Sequence, residues 1–354
     1  MTQTRLFPIA GVLTVVAMVS IGCAMSSPEK PVTRNDHGKA RPACVRSYGG
    51  RVSIHPIPWL APEMDAEWND PVKLASPINT TCLEDAIEIS ACGQKLYFMY
   101  AEDLLSELGG AMLSFPNGTY VATRIGEPYE FSYPTFYELG LGVDLSFDGS
   151  PIFTPDGSKV YFHSNRADNL GYSQGYDDYL DMYVAPLIDG VPGVAQNLGP
   201  PVNSVHPDGE AGLHPDGLTL YFASLRPGPF GYPGGAGRGN IWRSTWNGSF
   251  WSEPEFLPNP INHPINRPLS EQKQPAFATH DGTLYMYFVS DHSGATIYRS
   301  TLSEDGELGA PQAVIRGIVG EPSLTADGRY LYFVHVLHDW VGGFGSNIWY
   351  VERK

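Results

Sequence analysis

Five polar residues occupy the same place in five repeated segments of the sequence, just before the first apolar strand of each segment. They are Asp85, Ser150, Glu210, Gln274 and Glu321, if a one-residue insertion is allowed in the first and fourth segments. The carboxylic acids Asp85, Glu210 and Glu321 could act as general acid and base in hydrolysis if the fold brings them together. The five residues could equally form a polar or cation-binding funnel, or only solvate the mouth of a water-filled channel.

Each segment has the same order of elements: an apolar strand, a tight turn, and a second strand that ends in Tyr-Phe. The turn is Asp-Gly in four segments, and Cys92-Gly93 takes its place in the first. Asp-Gly between two apolar runs is a strong signal for a β-hairpin, because tight turns need a positive φ. A third strand and a weaker fourth one follow, so each segment has four strands. The Tyr-Phe pairs are Tyr97-Phe98, Tyr161-Phe162, Tyr221-Phe222, Tyr287-Phe288 and Tyr332-Phe333.

Four strands repeated at intervals of roughly 45 to 65 residues are typical of β-propeller blades. The sequence therefore predicts an all-β fold, a single β-propeller of about five four-stranded blades. The last segment stops at its third strand, and residues 68–74 parallel the fourth-strand residues 251–257. We expect 68–74 to complete the last blade and close the ring. Two β-sandwiches are the alternative fold, in which the regular repeats would be accidental.

The hairpin repeat and the Asn-Ile-Trp strands that follow it, as at Asn240-Ile241-Trp242 and Asn347-Ile348-Trp349, resemble the repeat of TolB-type, WD40-like propellers. The resemblance covers about residues 68 to 354 and implies the propeller fold, whereas such blades serve many functions. A second resemblance concerns the channel, since five-bladed glycosidases such as arabinanases carry catalytic carboxylates at the starts of inner strands. Nothing else in the sequence matches the motifs of those enzymes.

The loops between second and third strands are rich in aromatic and charged side chains. In a propeller these loops return to the rim at which the inner strands begin. Aromatic rings and arginines bind glycans or peptides by stacking and bidentate contacts. We therefore expect Arg166, Arg226 and Trp340 to bind ligand together with the five channel residues.

Metal and cofactor sites have little support in the sequence. Asp177, Asp178 and Asp181 could bind Ca²⁺ through their carboxylates, but they lack EF-hand spacing, and a solvated acidic loop is the alternative. The sequence contains neither an HExxH motif nor a P-loop, and the ten histidines are scattered. We expect no cofactor and no bound metal.

The N-terminal residues have the layout of a secretory signal peptide, with Arg5 before an uncharged apolar run over 6–21 that is too short to span a bilayer. Ser20-Ile21-Gly22-Cys23 resembles the bacterial lipobox and implies lipidation of Cys23, although its first residue is not a branched apolar one. Cleavage without lipidation is the alternative. The following polar segment is expected to be flexible. These features predict a signal peptide (1–22), a lipid-anchored tether (23–50) and a β-propeller (51–354).

Three cysteines remain for disulfides in an oxidising compartment if Cys23 is acylated, so at most one intramolecular bridge is expected. Cys82 and Cys92 flank a predicted strand, and ten extended residues span roughly 30 Å, beyond the ~7 Å Cα separation that a disulfide allows. These two should not pair with each other. We expect Cys44 to pair with Cys92, with no bridge as the alternative.

The formal net charge of −16 excludes a nucleic-acid partner and electrostatic docking on anionic lipid. The main hypothesis is a non-catalytic ligand- or protein-binding propeller of the bacterial cell envelope, exported and facing the periplasm or the exterior. Its membrane contact would be the lipid anchor only, and its partner an envelope protein or a glycan. The alternative is a carbohydrate-active hydrolase or lyase with Asp85, Glu210 and Glu321 as catalytic residues.

Overall fold

The structure is a computed structural model and describes residues 38–41, 62–101, 118–140, 148–171, 180–229, 239–258, 260–262, 271–291, 295–338 and 344–354. The described elements are β-strands in five antiparallel sheets, with no α-helix among those residues. No helix in this part of the chain is long and apolar enough to cross a membrane. The five sheets are the blades of a β-propeller, which confirms the predicted fold.

The strands follow the order of the repeats. Two short strands come first, β1 (Glu63–Met64) and β2 (Val72–Lys73). The first blade comprises β3 (Leu83–Ile89), β4 (Lys95–Ala101), β5 (Gly118–Thr123) and β6 (Thr135–Phe136). The second comprises β7 (Asp148–Phe153), β8 (Lys159–Ser164) and β9 (Asp181–Ile188), with β10 (Val191–Pro192) and β11 (Gln196–Asn197) both paired to β9. The third comprises β12 (Asp208–Leu213), β13 (Thr219–Ser224), β14 (Asn240–Thr245) and β15 (Glu255–Phe256). The fourth comprises β16 (Gln272–His280), β17 (Thr283–Ser290), β18 (Thr296–Thr301) and β19 (Gln312–Arg316), and the fifth β20 (Val319–Leu324), β21 (Tyr330–His338) and β22 (Phe344–Glu352).

The ring closes through the N-terminal segment, as predicted. Strand β2 is the outer strand of the fifth blade and pairs antiparallel with β22, so that Val72 lies opposite Tyr350. Trp68 is buried and forms a further bridge with Arg353. Strand β1 adds a fifth strand to the outer edge of the fourth blade by pairing with β19. The N-terminal segment therefore covers two blade edges that would otherwise be exposed.

An asparagine fastens the turn after the outer strand to the third strand of the same blade. In the fifth blade, the side-chain amide of Asn79 donates to the carbonyl oxygen of Ile348 at 2.8 Å, and its Oδ1 accepts from the Ile348 N–H at 2.8 Å. Asn203 and Asn262 make the same pair of bonds to Met182 and Ile241. These clamps explain the repeated Pro-Ile-Asn and Pro-Val-Asn sequences at blade boundaries.

Residues 38–41 lie within the predicted tether and are docked on the first blade. Ala40 forms a β-bridge with Thr135, and the Gly38 N–H donates to the Phe136 carbonyl at 2.9 Å. The Arg41 side chain is buried in the same blade. This part of the N-terminal segment is therefore anchored to strand β6.

The Tyr-Phe pairs lie on the second strand of each blade and build the core between blades. Successive side chains of a strand point to opposite faces, so the two members of a pair contact different neighbouring blades. Phe98 packs with Tyr332 of the fifth blade, whereas Tyr97 contacts Phe153 of the second with ring centroids 4.6 Å apart. All five phenylalanines of the pairs are buried.

Candidate functional site

Each inner strand carries a β-bulge at the equivalent point. In all five blades the ladder between first and second strands shifts register there, and the first residue of the shift has a positive φ between 45° and 56°. A bulge re-aims the side chain that it carries. The five residues at this position are Ala86, Ser150, Glu210, Gln274 and Glu321.

Four of the five predicted channel residues occupy the bulge position, and the exception is in the first blade. There Ala86 occupies it, and the predicted Asp85 lies one residue earlier, at the place equivalent to Lys273 in the fourth blade. The insertion assumed for the first segment is wrong, because Ala86 at the bulge lies six residues before Cys92, the spacing that the second, third and fifth segments have without an insertion. Asp85 is nevertheless close enough to Glu210 and Lys273 to interact with both electrostatically.

Gln274 joins two of the predicted carboxylates. Its side-chain nitrogen donates to Glu210 Oε1 at 3.2 Å and also donates to Glu321 Oε1. Its side-chain oxygen accepts the backbone N–H of Glu321 at 2.9 Å. The third, fourth and fifth blades thus present two acidic groups that share one amide.

Lys273 is a channel residue that the sequence reasoning missed. Its ammonium nitrogen lies 3.7 Å from Glu210 Oε1 and 3.8 Å from Glu271 Oε1. The surrounding carboxylates raise the pKa of Lys273, with Glu210 as the main cause. Its position next to Gln274 in the fourth repeat was the available signal, since it is a cation beside a series of acidic and polar positions.

Burial raises the pKa values of two channel acids, Glu321 and Asp85, by different amounts. Desolvation raises the pKa of Glu321 well above its ordinary value, and repulsion by Asp85 and Glu210 raises it further. Burial also raises the pKa of Asp85 to about 6, and Glu210 adds to this effect. Such separation of neighbouring carboxyls is a common feature of acid–base sites.

A cavity of about 400 Å³ lies along the channel between the bulges and the hairpin turns. Ser150, Glu210, Gln274 and Glu321 border it, with apolar walls such as Leu213 and Phe277.

Glu88 also lines this cavity and was not predicted. It accepts a 2.8 Å hydrogen bond from the Ser323 hydroxyl, and burial raises its pKa to about 8. Its place as a carboxyl between Ile87 and Ile89, in the second half of β3, was the signal in the sequence.

Arg166 and Arg226 were predicted to bind ligand, and the structure instead gives them partners within their own blades. Arg166 Nη2 lies 2.7 Å from Asp148 Oδ2, and Arg226 Nη2 lies 2.7 Å from Asp208 Oδ1. Arg166 is buried, and Asp208 is fully buried. Both guanidinium groups therefore hold the start of an inner strand rather than project from the rim.

The remaining predicted binding groups are only partly described. Trp340, Asp177, Asp178, Cys23 and Cys44 lie outside the described residues. Asp181 accepts hydrogen bonds from the Leu170 N–H at 2.9 Å and the Asn197 amide at 2.8 Å. Within the described ranges, no group of three or more His, Cys, Asp or Glu residues is arranged to hold a metal ion.

Cys82 and Cys92 are both disulfide-bonded. They lie on either side of β3, whose seven residues span roughly 20 Å, so their bridges are separate ones. The sequence reasoning expected one intramolecular bridge, whereas two separate bridges need two partners. The predicted pair of Cys44 with Cys92 stays a prediction, because Cys44 lies outside the described residues.

No protein-family model matches the sequence, and no curated protein does. Among solved structures, that of BT0996 in an RGII complex matches with a TM-score of 0.51 and 10% identity, covering 81% of this protein and 92% of that one. A glycoside hydrolase matches with a TM-score of 0.51 and 9% identity over the same shares. A thermostable family-43 glycoside hydrolase matches with a TM-score of 0.49 and 14% identity, covering 79% and 92%.

At these identities the likeness shows the fold. It confirms the propeller that the TolB-type resemblance implied, but these structures do not point to TolB-type proteins in particular. The main functional hypothesis, a non-catalytic binding propeller, is corrected. The paired channel acids favour the carbohydrate-active alternative.

Proposed function

We propose that the protein is a carbohydrate-active hydrolase that cleaves glycosidic bonds with Glu210 and Glu321. The observation that carries the proposal is the pair of carboxyl groups bound to the Gln274 amide inside the channel. Glycosidases use such a pair flanking the scissile bond. The likeness to a glycoside hydrolase structure supports the same reaction class.

The separation of the pair favours a retaining reaction. Two hydrogen bonds to one nitrogen keep the two oxygens within about 6 Å of each other. Retaining enzymes hold their carboxyls roughly 5 to 5.5 Å apart, and inverting enzymes roughly 6.5 to 9.5 Å apart. One carboxylate would attack the anomeric carbon while the other protonates the leaving oxygen. Water would then hydrolyse the glycosyl ester and return a proton to the acid.

The test is activity on a panel of plant, algal and peptidoglycan-derived glycans. We expect the parent protein to release sugar from at least one of them. Glu210→Gln and Glu321→Gln should each lower the rate by about 10²-fold or more, because a positioned acid or base contributes about 10²–10⁴-fold. The anomer formed first, read by proton NMR, should have the configuration of the substrate.

Glu253→Gln is the matched control, because Glu253 is an exposed carboxyl outside the channel, and it should retain the parent rate. Binding of glycans without release of sugar would contradict the proposal. Hydrolysis that persists in both channel variants would place the chemistry elsewhere.

We also propose that the protein is exported and lipid-anchored through Cys23, with a glycan as its ligand. The anchor requires that only one of Cys82 and Cys92 bridges within the chain, to Cys44, and that the other bridges to a second chain, because an acylated Cys23 cannot form a disulfide. The signal-peptide layout and the lipobox-like Ser20-Ile21-Gly22-Cys23 support the anchor. The carboxyl groups of Glu210 and Glu321 in the channel support a neutral or cationic glycan over an acidic one.

A further inference from the structure

We propose that Lys273 is a positioning residue that holds Glu210 as the ionised member of the carboxyl pair, so that Glu321 is the member that carries the proton. This inference rests on the proposed hydrolytic function. It assigns Glu210 as the group that attacks the anomeric carbon and Glu321 as the acid.

The bulge of β16 places a neutral side chain and a charged one, Gln274 and Lys273, next to the carboxyl pair. Gln274, at the bulge, donates to both carboxyl groups and so does not distinguish them. Lys273, one residue earlier, places its ammonium 3.7 Å from Glu210 Oε1. A full positive charge at this distance favours the ionised form of the carboxyl that it contacts.

The other charged and titratable groups near Glu210 come from four elements. They are His163 on β8, Asp85 on β3, Glu321 on β20, and Glu271 just before β16. His163 is buried, and desolvation lowers its pKa, so it contributes no positive charge at neutral pH. Lys273 is therefore the cation that offsets the repulsion by Asp85, Glu271 and Glu321.

Glu321 lies in a different environment. Desolvation dominates the rise of its pKa, and Lys273 opposes that rise less than Asp85 and Glu210 promote it. The shared Gln274 amide can donate one N–H to each acid, whether or not that acid is protonated. One charged and one protonated carboxyl is the state that a retaining glycosidase needs before it reacts.

The substrate-free test is a ¹³C NMR titration of side-chain carboxyls in glutamate-labelled protein. The Glu210 signal is identified by its loss in Glu210→Gln. In Lys273→Gln we expect its titration midpoint to rise by about one pH unit or more, whereas Lys273→Arg should stay near the parent. Lys159→Gln removes an exposed lysine of the second blade and is the matched control.

Glu271→Gln should shift the Glu210 titration midpoint in the opposite direction, and it leaves the Lys273 side chain unchanged. It removes a competing carboxylate 3.8 Å from the ammonium, so the Glu210 midpoint should move to lower pH. The Glu271 carboxylate also repels Glu210 directly, so this variant tests the electrostatic surroundings of Glu210. Lys273→Met, which keeps the length and apolar stem of the side chain without its charge, decides the role of Lys273 if Lys273→Gln fails to fold.

The same variants are then compared in pH profiles of kcat/KM on the glycan that the parent hydrolyses. The acid limb should move up in Lys273→Gln and down in Glu271→Gln, while the basic limb, set by Glu321, moves less. An unmoved Glu210 midpoint in folded Lys273→Gln, or an upward shift in Glu271→Gln, overturns the assignment. Absence of hydrolysis in the parent would refute the proposed function alone, because the NMR titration still decides the role of Lys273.

Discussion

At the scale of single residues, the buried channel acid Glu88 makes the free energy of unfolding depend on pH. Burial raises its pKa from 4.5 to about 8. The folded state therefore retains a proton that the unfolded chain releases above pH 4.5. The stabilising effect of this proton is complete below pH 4.5 and is lost as pH rises through about 8.

Glu88→Gln should remove this loss, because the amide keeps the hydrogen bond with Ser323 and carries no charge. We expect the variant to exceed the parent by about 2 to 4 kcal/mol in free energy of unfolding at pH 9, and to match it near pH 4.5. Urea unfolding at a series of pH values measures the difference. Glu63→Gln, at an exposed site, should follow the parent, and a Glu88→Gln curve parallel to the parent's would contradict the assignment.

The sequence predicted four of the five bulge residues, and the fifth was misassigned to Asp85 because an insertion was assumed in the first segment. Without that insertion, Ala86 lies six residues before Cys92, the same spacing that separates Ser150, Glu210 and Glu321 from the Asp of their turns. Lys273 and Glu88 were missed for a different reason. Each of them interacts with a residue of another blade, and the sequence of a single repeat does not show which residues of other blades lie nearby.

At the scale of elements, three blades hold an arginine against the acid near the start of their inner strand. In the second and third blades the arginine follows the second strand, as Arg166 with Asp148 and Arg226 with Asp208. In the first blade Arg41 of the N-terminal segment takes this role, 3.6 Å from Glu84. The repeated Ser-x-Arg of the second and third segments was a sign of this structural role in the sequence.

Arg226→Met should leave Asp208 buried and without its cation, at a cost of about 3 to 5 kcal/mol in free energy of unfolding. Adding Asp208→Asn should recover part of that loss, because the buried charge is then removed. Urea unfolding of the four proteins of this double-mutant cycle gives the coupling. Arg329→Met is the control, since its ion pair with Glu352 is exposed and should matter little. Equal losses in the single and double variants would argue against a charge effect.

At the scale of the whole molecule, ring closure depends on residues 68–74. Deleting them removes β2, leaves the edge of β22 unpaired and exposes the apolar face beneath it. We expect the truncated protein to aggregate or to unfold at a much lower temperature. Asn79→Ala should give a smaller loss in the same direction, and Asn247→Ala, in an exposed turn, is its control. A deletion variant as soluble and heat-stable as the parent would rule out this closure.

Lipidation of Cys23 is tested by Cys23→Ser, which should move the protein from the membrane fraction to the soluble fraction, because the acylated residue carries the anchor. Continued membrane association after a salt wash would contradict the lipobox interpretation. Peptide mapping without reduction supplies a second check. If Cys82 and Cys92 both bridge within the chain, Cys23 and Cys44 must be their partners, and a sulfur in a disulfide cannot carry a lipid.

The propeller itself could be predicted from the sequence because each blade repeats the same hairpin, and the five copies reinforce one another. The closing strand was predictable for the same reason, since 68–74 copies a fourth strand that occurs elsewhere in the chain. The contact of Arg41 with Glu84 was not predictable, because Arg41 lies in the N-terminal segment, outside the repeated segments that reveal the fold.

The closing pair of Val72 with Tyr350 also determines when this protein can fold. Residues at the start of the ring find their partner only among those at its end, so a ribosome-bound chain that lacks the last blade cannot complete the ring. Contacts between such distant residues require closure of a very long loop, which slows folding. The ring therefore stays open, with the edge strand of its first-formed blades unpaired, until the last blade is synthesised.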